Sequence, residues 1–117
     1  MTYEGEFSPA LYLNWGFNNK KLDKKLEELS ALSDYREVFI IGKNLKIGEI
    51  YPSIRKNSKY MFWNPYKGNY THFGSMKYQD YTFHENKERR DKFRIRNKKW
   101  ADAEIYSPAF LSYYILW

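Results

Sequence analysis

His72, Asp80 and His84 are the residues whose types best suit chemistry. Two imidazoles and one carboxylate can form a two-histidine, one-carboxylate metal site. The spacing permits it, with one ligand on a strand, one in a loop and one at a helix start. Asp80 with His84 is also the one acid–base pair worth weighing. The plainer reading carries more weight. Asp80 and His84 flank a helix start, where capping and loop ordering are ordinary jobs, and Asp80 is placed to hold Arg89 or Arg90. The expectation is therefore no metal ligand, no catalytic residue and no cofactor.

The second set is cationic. Arg89, Arg90, Arg94, Arg96, Lys98 and Lys99 lie within one short run. They suit phosphate contacts, with Tyr66, Tyr70 or Trp63 available to stack on bases. Against this, some of them can pair internally with Asp80, Glu85, Glu88 and Asp91. Glu85 and Arg89 are spaced as a usable i,i+4 pair. No recognised nucleic-acid motif is present.

Composition narrows the field. With no Cys and 2 His in 117 residues, disulfides, cysteine zinc sites and three-histidine zinc chemistry are excluded. There is no phosphate-cradling glycine loop, no Ser-His-Asp pattern and no paired-carboxylate site. No run reaches the roughly 18–20 apolar residues a membrane span needs. The opening residues include Glu4 and Glu6 and no basic segment, so they do not read as a secretory signal. Charge is uneven: within a net of +6, residues 1–53 carry −1, residues 54–99 carry +9 and residues 100–117 carry −2. A central basic segment thus faces phosphate or an acidic partner. Aromatics are 21% of the chain while Val occurs once, at Val38, so rings must build much of the core. Twelve Tyr exceed what one small core can hold, which leaves some for the surface.

The elements that position these residues follow from pattern. Residues 1–19 read as an aromatic arm, with Ser8-Pro9 as a possible helix start. A single small α+β domain then spans 20–117. Leu22, Leu26, Leu29 and Leu32 form one stripe on a helix over Lys20–Leu32. Tyr35–Ile41 and Leu45–Tyr51, joined by Gly42-Lys43-Asn44, predict a first hairpin that Pro52 ends. Lys59–Trp63 and Asn69–Phe73, joined by a Pro- and Gly-containing turn, predict a second. Gly74–Tyr81 reads as loop. Thr82 and Glu85 have capping-box spacing, so one helix is expected from Thr82 to about Lys99. On it, Phe93 and Trp100 share a side with Arg89 and Arg96, while Arg90, Arg94 and Asn97 lie on an adjacent side. Ser107-Pro108 opens a final, nearly all-apolar helix. The predicted fold is a small antiparallel sheet of two hairpins, packed with an amphipathic helix and two C-terminal helices. Trp63, Phe73, Tyr81, Phe93 and Trp117 are expected in the core or at its edge.

Four pieces recur in order across the second half: His72-Phe73-Gly74, Asp80-Tyr81-Thr82-Phe83-His84, the basic run Arg90–Arg96, and a closing Phe110–Trp117 that ends in Leu-Trp. In this ordered set the run from Tyr70 to Trp117 resembles a family of short uncharacterised proteins of giant viruses and other nucleocytoplasmic large DNA viruses. The family-like module is set at 59–117. The family often has a second His after the last Arg, where this chain has Asn97, which further weakens a metal reading of that helix. Residues 1–51 match nothing in it and read as an added partner-binding portion.

The resemblance implies a viral origin and a place in the virion, and it supplies no catalytic residues. The expected function is that of a non-enzymatic minor capsid protein, linking neighbouring subunits through aromatic and basic surfaces. Its partners would be other viral capsid proteins, with nucleic acid or an internal membrane surface as further candidates and no small-molecule substrate. It would lie in the virion, and in host cytoplasm during assembly. The alternative is a small basic nucleic-acid-binding protein.

Overall fold

The leucine stripe forms a helix because its apolar positions recur with the helical period and its polar positions face water. In the computed structural model, which describes residues 19–47 and 50–117, this helix is α1, Asn19–Ser30. Leu22, Leu26 and Leu29 are buried and Leu32 is half-buried. Each buried leucine contributes roughly 1.5–3 kcal/mol. The arm and its Ser8-Pro9 helix start lie outside the described residues.

The first hairpin is not formed. Tyr35–Asn44 is a helix, α2, capped by Asp34, whose side chain accepts a hydrogen bond from the Glu37 amide at 3.3 Å. Its buried residues are Tyr35, Val38 and Gly42, a helical period rather than a strand alternation. The Val38–Ile41 run has high strand propensity, but the cap and the tertiary packing override it. From the second expected strand, Ile50 and Tyr51 pair, in β1, Ile50–Pro52; among its other described residues, Leu45 to Ile47 are not in a strand.

The second hairpin forms as expected. It comprises β2, Ser58–Asn64, and β3, Asn69–Ser75. The sheet is antiparallel with strand order β1-β2-β3. Tyr60 sits opposite Phe73 and Pro52 opposite Tyr60. Pro52 ends a short edge strand, where a missing N–H is tolerated. Asn64 holds the turn, accepting from the amides of Tyr66 and Lys67 at 2.9 and 3.2 Å.

The expected long basic helix is broken in two. Asp80, not Thr82, caps α3, Tyr81–His84. Glu85 is left-handed at φ 52°, so it cannot serve as the capping-box partner or pair along a helix with Arg89. Asn86 caps α4, Lys87–Arg96, accepting from the Arg89 amide at 3.1 Å. A 3₁₀ turn over Lys98–Asp102 follows. Ser107 caps α5, Pro108–Leu111, as its sequence position predicts, and the chain continues as a π turn over Ser112–Leu116.

α1 and α2 pack on β1, while the terminal helix packs on β3, α2 and the 3₁₀ turn. The fold is therefore α+β, with three strands in place of the two hairpins. Rings do carry the core: Tyr35, Tyr60, Phe62 and Phe73 are buried, joined by Leu111, Ile115 and Leu116. Of the five aromatics expected in the core or at its edge, Phe73 is buried and Tyr81, Phe93 and Trp117 are half-buried. Trp63 is 47% exposed.

Candidate functional site

Helix α4 has no buried residue. An apolar stripe therefore cannot hold it, and rings do so instead. Phe93 stacks on Trp117 with centroids 4.3 Å apart and planes 7° apart, and Trp100 meets Phe93 edge-on at 5.7 Å. Arg90 lies over the Tyr81 ring at 4.7 Å and Arg94 over the Tyr113 ring at 5.5 Å. Two of the six cations expected to meet a partner thus serve to dock their own helix.

The side of α4 that carries Arg89, Phe93 and Arg96 looks toward β3. Between them lies an open cleft of about 620 Å³. Arg89, Lys92 and Arg96 line it from the helix, and Phe93, Trp100, Trp117 and Tyr78 supply rings. Lys59 and Gly74 line it from the sheet. None of the residues lining it is acidic. Lys92 is paired with Glu88 at 3.0 Å, on the exposed surface. Among the described residues, Arg89 and Arg96 have no acidic partner, and both are exposed. The side shared by Arg89, Phe93, Arg96 and Trp100 is the one that helical spacing indicates. Lys98 and Lys99 lie in the 3₁₀ turn, exposed and away from the cleft lining.

Lys59 is a different kind of cation. It is 2% exposed and donates to Asp80, itself fully buried, at 3.0 Å. Burial pulls the Lys59 ammonium below the usual lysine range, and the Asp80 charge opposes that shift. Asp80 also accepts from the Thr82 amide at 3.0 Å and from the Thr82 hydroxyl. Thr82 in turn accepts from the Asp34 amide at 3.0 Å and meets Ser33 at 3.1 Å, to which Tyr60 donates at 2.7 Å. Asp80 and Thr82 therefore tie α3 to the α1–α2 junction and to β2. The expected grip of Asp80 on Arg89 or Arg90 is replaced by Lys59, a residue that composition does not single out.

Gly74 has a defined reason to be glycine. Its φ is +80°, and a Cβ there would lie 2.8 Å from Leu116 Cδ1 and 3.1 Å from Lys59 Cβ. A side chain at Gly74 would be strained at this φ and would force Leu116 and Lys59 to shift.

The metal arrangement does not assemble. Among the described residues, no group of three His, Cys, Asp or Glu lies close enough to hold an ion. His72 Nδ1 lies 2.6 Å from the Ser53 hydroxyl, which also accepts from the Arg55 amide. Ser53 is fully buried, so this Ser–His contact offers no accessible nucleophile. His72 is held below the usual histidine range by burial, then by Arg55 and Lys25. His84 Nδ1 accepts from the Asn86 amide at 2.9 Å, and its ring lies 5.3 Å from Trp117. Its pKa is lowered by burial and by Arg89, with Asp80 acting in the opposite sense.

The three rings expected to be available for bases, Trp63, Tyr66 and Tyr70, do not line the α4 cleft. Trp63 meets Tyr70 edge-on at 5.1 Å, and Tyr66 stacks on Tyr106 at 5.7 Å. All three belong to the β2–β3 hairpin and its turn. A cleft ring that sequence reasoning leaves out is Tyr78, in a loop with no pattern. Among the described residues, no helix is long and apolar enough to cross a membrane.

A family model described as a family of unknown function, DUF5754, matches residues 48–97. That span is similar to the family from just before β1 to the end of α4. It includes Lys59, Gly74, Arg89 and Arg96 and stops short of Trp100 and Trp117. No curated protein and no solved structure matches the chain.

Proposed function

We propose that this protein acts by binding rather than by making or breaking bonds, and that its ligand is a phosphate-bearing nucleic acid taken at the α4 cleft. One observation carries the reading: Arg89 and Arg96, lacking acidic partners among the described residues, stand beside rings in a cleft with no acidic lining residue. Arginine matches phosphate geometry with its planar fork of donors. Of the groups that could act as nucleophile or base, Ser53 and Asp80 are fully buried, His72 Nδ1 is engaged by Ser53, and His84 Nδ1 accepts from the Asn86 amide.

The test is fluorescence anisotropy of a labelled oligonucleotide across a salt series. Affinity is expected to fall steeply with salt. Arg89→Ala with Arg96→Ala should flatten the logarithmic slope by roughly 1.4, at about 0.7 per single-strand phosphate contact. Absent or salt-independent binding would remove the reading.

A second reading is favoured by exposed apolar side chains. Tyr66 is 82% exposed, Ile95 77% and Ile105 64%. Together with the resemblance to proteins of large DNA viruses, they support a minor capsid protein that links subunits in a particle. Mass spectrometry of purified particles should then find the chain at a fixed ratio to the main shell protein, and its absence would end that reading.

A further inference from the structure

We infer that the α4 cleft takes one unstacked base of a single strand, with the flanking phosphates at Arg89 and Arg96. This rests on the nucleic-acid reading above and narrows it.

The argument begins with shape. A concavity of about 620 Å³ falls in the range of sites that enclose one small ligand. A duplex presents convex phosphate ridges and keeps its bases stacked inside, so it cannot bring a base to the rings. A site for phosphate alone would need no rings. A site for an apolar ligand alone would need no arginines. Both are present in one wall.

The rings are not equivalent. Phe93 and Trp117 cover one face of each other. Trp100 makes only an edge-on pair, and Tyr78 is 64% exposed and makes no ring pair among the described residues. These two have free area for a base. Neutral polar groups complete the lining. Asn97 spends one N–H on the Phe93 carbonyl at 3.0 Å, which leaves its carboxamide oxygen as an acceptor for a base edge. Arg89 and Arg96 are about 10 Å apart along the helix axis, at 1.5 Å rise per residue. That separation lets them contact the phosphates on either side of one inserted nucleotide.

The experiment compares three probes on the wild-type protein: a single strand of about 12 nucleotides, a strand of equal length lacking its bases, and a duplex of the same sequence. The base-free strand should bind roughly 5- to 150-fold more weakly than the normal one. Tyr78→Ala and Trp100→Ala should weaken binding of the normal strand and leave the base-free strand unchanged. Tyr78 is exposed, so its variant keeps the fold even if Trp100→Ala does not. Equal binding of normal and base-free strands would overturn the inference and leave the phosphate reading intact. Tighter binding of the duplex would do the same. Binding of no probe would overturn both.

Discussion

Arg90 and Arg94 sit over the Tyr81 and Tyr113 rings, whereas Arg89 and Arg96, on the next face of the same helix, line a cleft that also holds rings. Composition treats these four residues alike. The structure divides them by what their neighbours lack. Helix α4 has no buried apolar residue, so the planar, weakly hydrated guanidinium and its stem take over the docking role. A net charge of +6 is therefore not a measure of charge available to a partner. Lys59 makes the same point more sharply, since it lines the cleft yet is already neutralised by Asp80.

The largest expected effect tests that buried cation. Asp80→Ala leaves Lys59 with a buried, uncompensated charge and removes the cap of α3. Breaking such a pair costs about 3–5 kcal/mol. Urea denaturation should show that loss, and Lys59→Met combined with Asp80→Asn should recover part of it. A loss as small as that of an exposed pair would mean that Lys59 finds water or another partner, and its contrast with the rim arginines would disappear.

The two arginine faces come next. Arg90→Ala with Arg94→Ala should lower stability by roughly 1–2 kcal/mol, the sum of two partly buried cation–π contacts. Arg89→Ala with Arg96→Ala should stay within about 0.5 kcal/mol of the parent, as exposed substitutions do. Thermal or urea unfolding of both double variants decides it. Equal losses would show that the division of labour along α4 is not real.

How much of this was legible beforehand differs by element. The Leu22-Leu26-Leu29 stripe and the Asn64–Gly68 turn announce α1 and the β2–β3 hairpin, because local period and turn chemistry agree there with the packing. Ser107-Pro108 announces α5 in the same way. α2 is not legible locally, because Val38–Ile41 favours a strand and outweighs the Asp34 cap before Glu37 in the linear pattern. The break at Glu85 is marked only by Asn86, the N-cap of α4, since a left-handed glutamate is uncommon and no glycine stands there. In the site, the shared side of Arg89, Phe93, Arg96 and Trp100 is a helical spacing and could be read. Lys59 and Tyr78 join it through strand pairing and loop path, which the linear pattern does not carry. Trp63, Tyr66 and Tyr70 lie on the hairpin and its turn, apart from the α4 cleft, because strand pairing and not linear order sets their place.

The smallest effect concerns His84, which sits where the two faces of α4 meet the terminal helix. Its Nδ1 accepts from the Asn86 amide, so the folded state favours the neutral ring, and burial and Arg89 both lower its pKa. His72 is shifted in the same direction. The unfolded chain therefore binds these protons first, and stability rises with pH across that window. The contribution is full above the ordinary histidine pKa of about 6.5 and is lost as pH falls through the lower folded values. Urea midpoints measured between about pH 7.5 and 5.5 should decline toward acid, above the range where carboxylates titrate. His72→Gln with His84→Gln should flatten the decline. Arg89→Ala should move the His84 titration upward, followed by NMR of its ring protons. Arg90 is absent from the charges acting on His84, so Arg90→Ala should move it less. An equal shift from both variants would place the two faces in one electrostatic environment and undo the distinction between an arginine that docks α4 and one that lines the cleft.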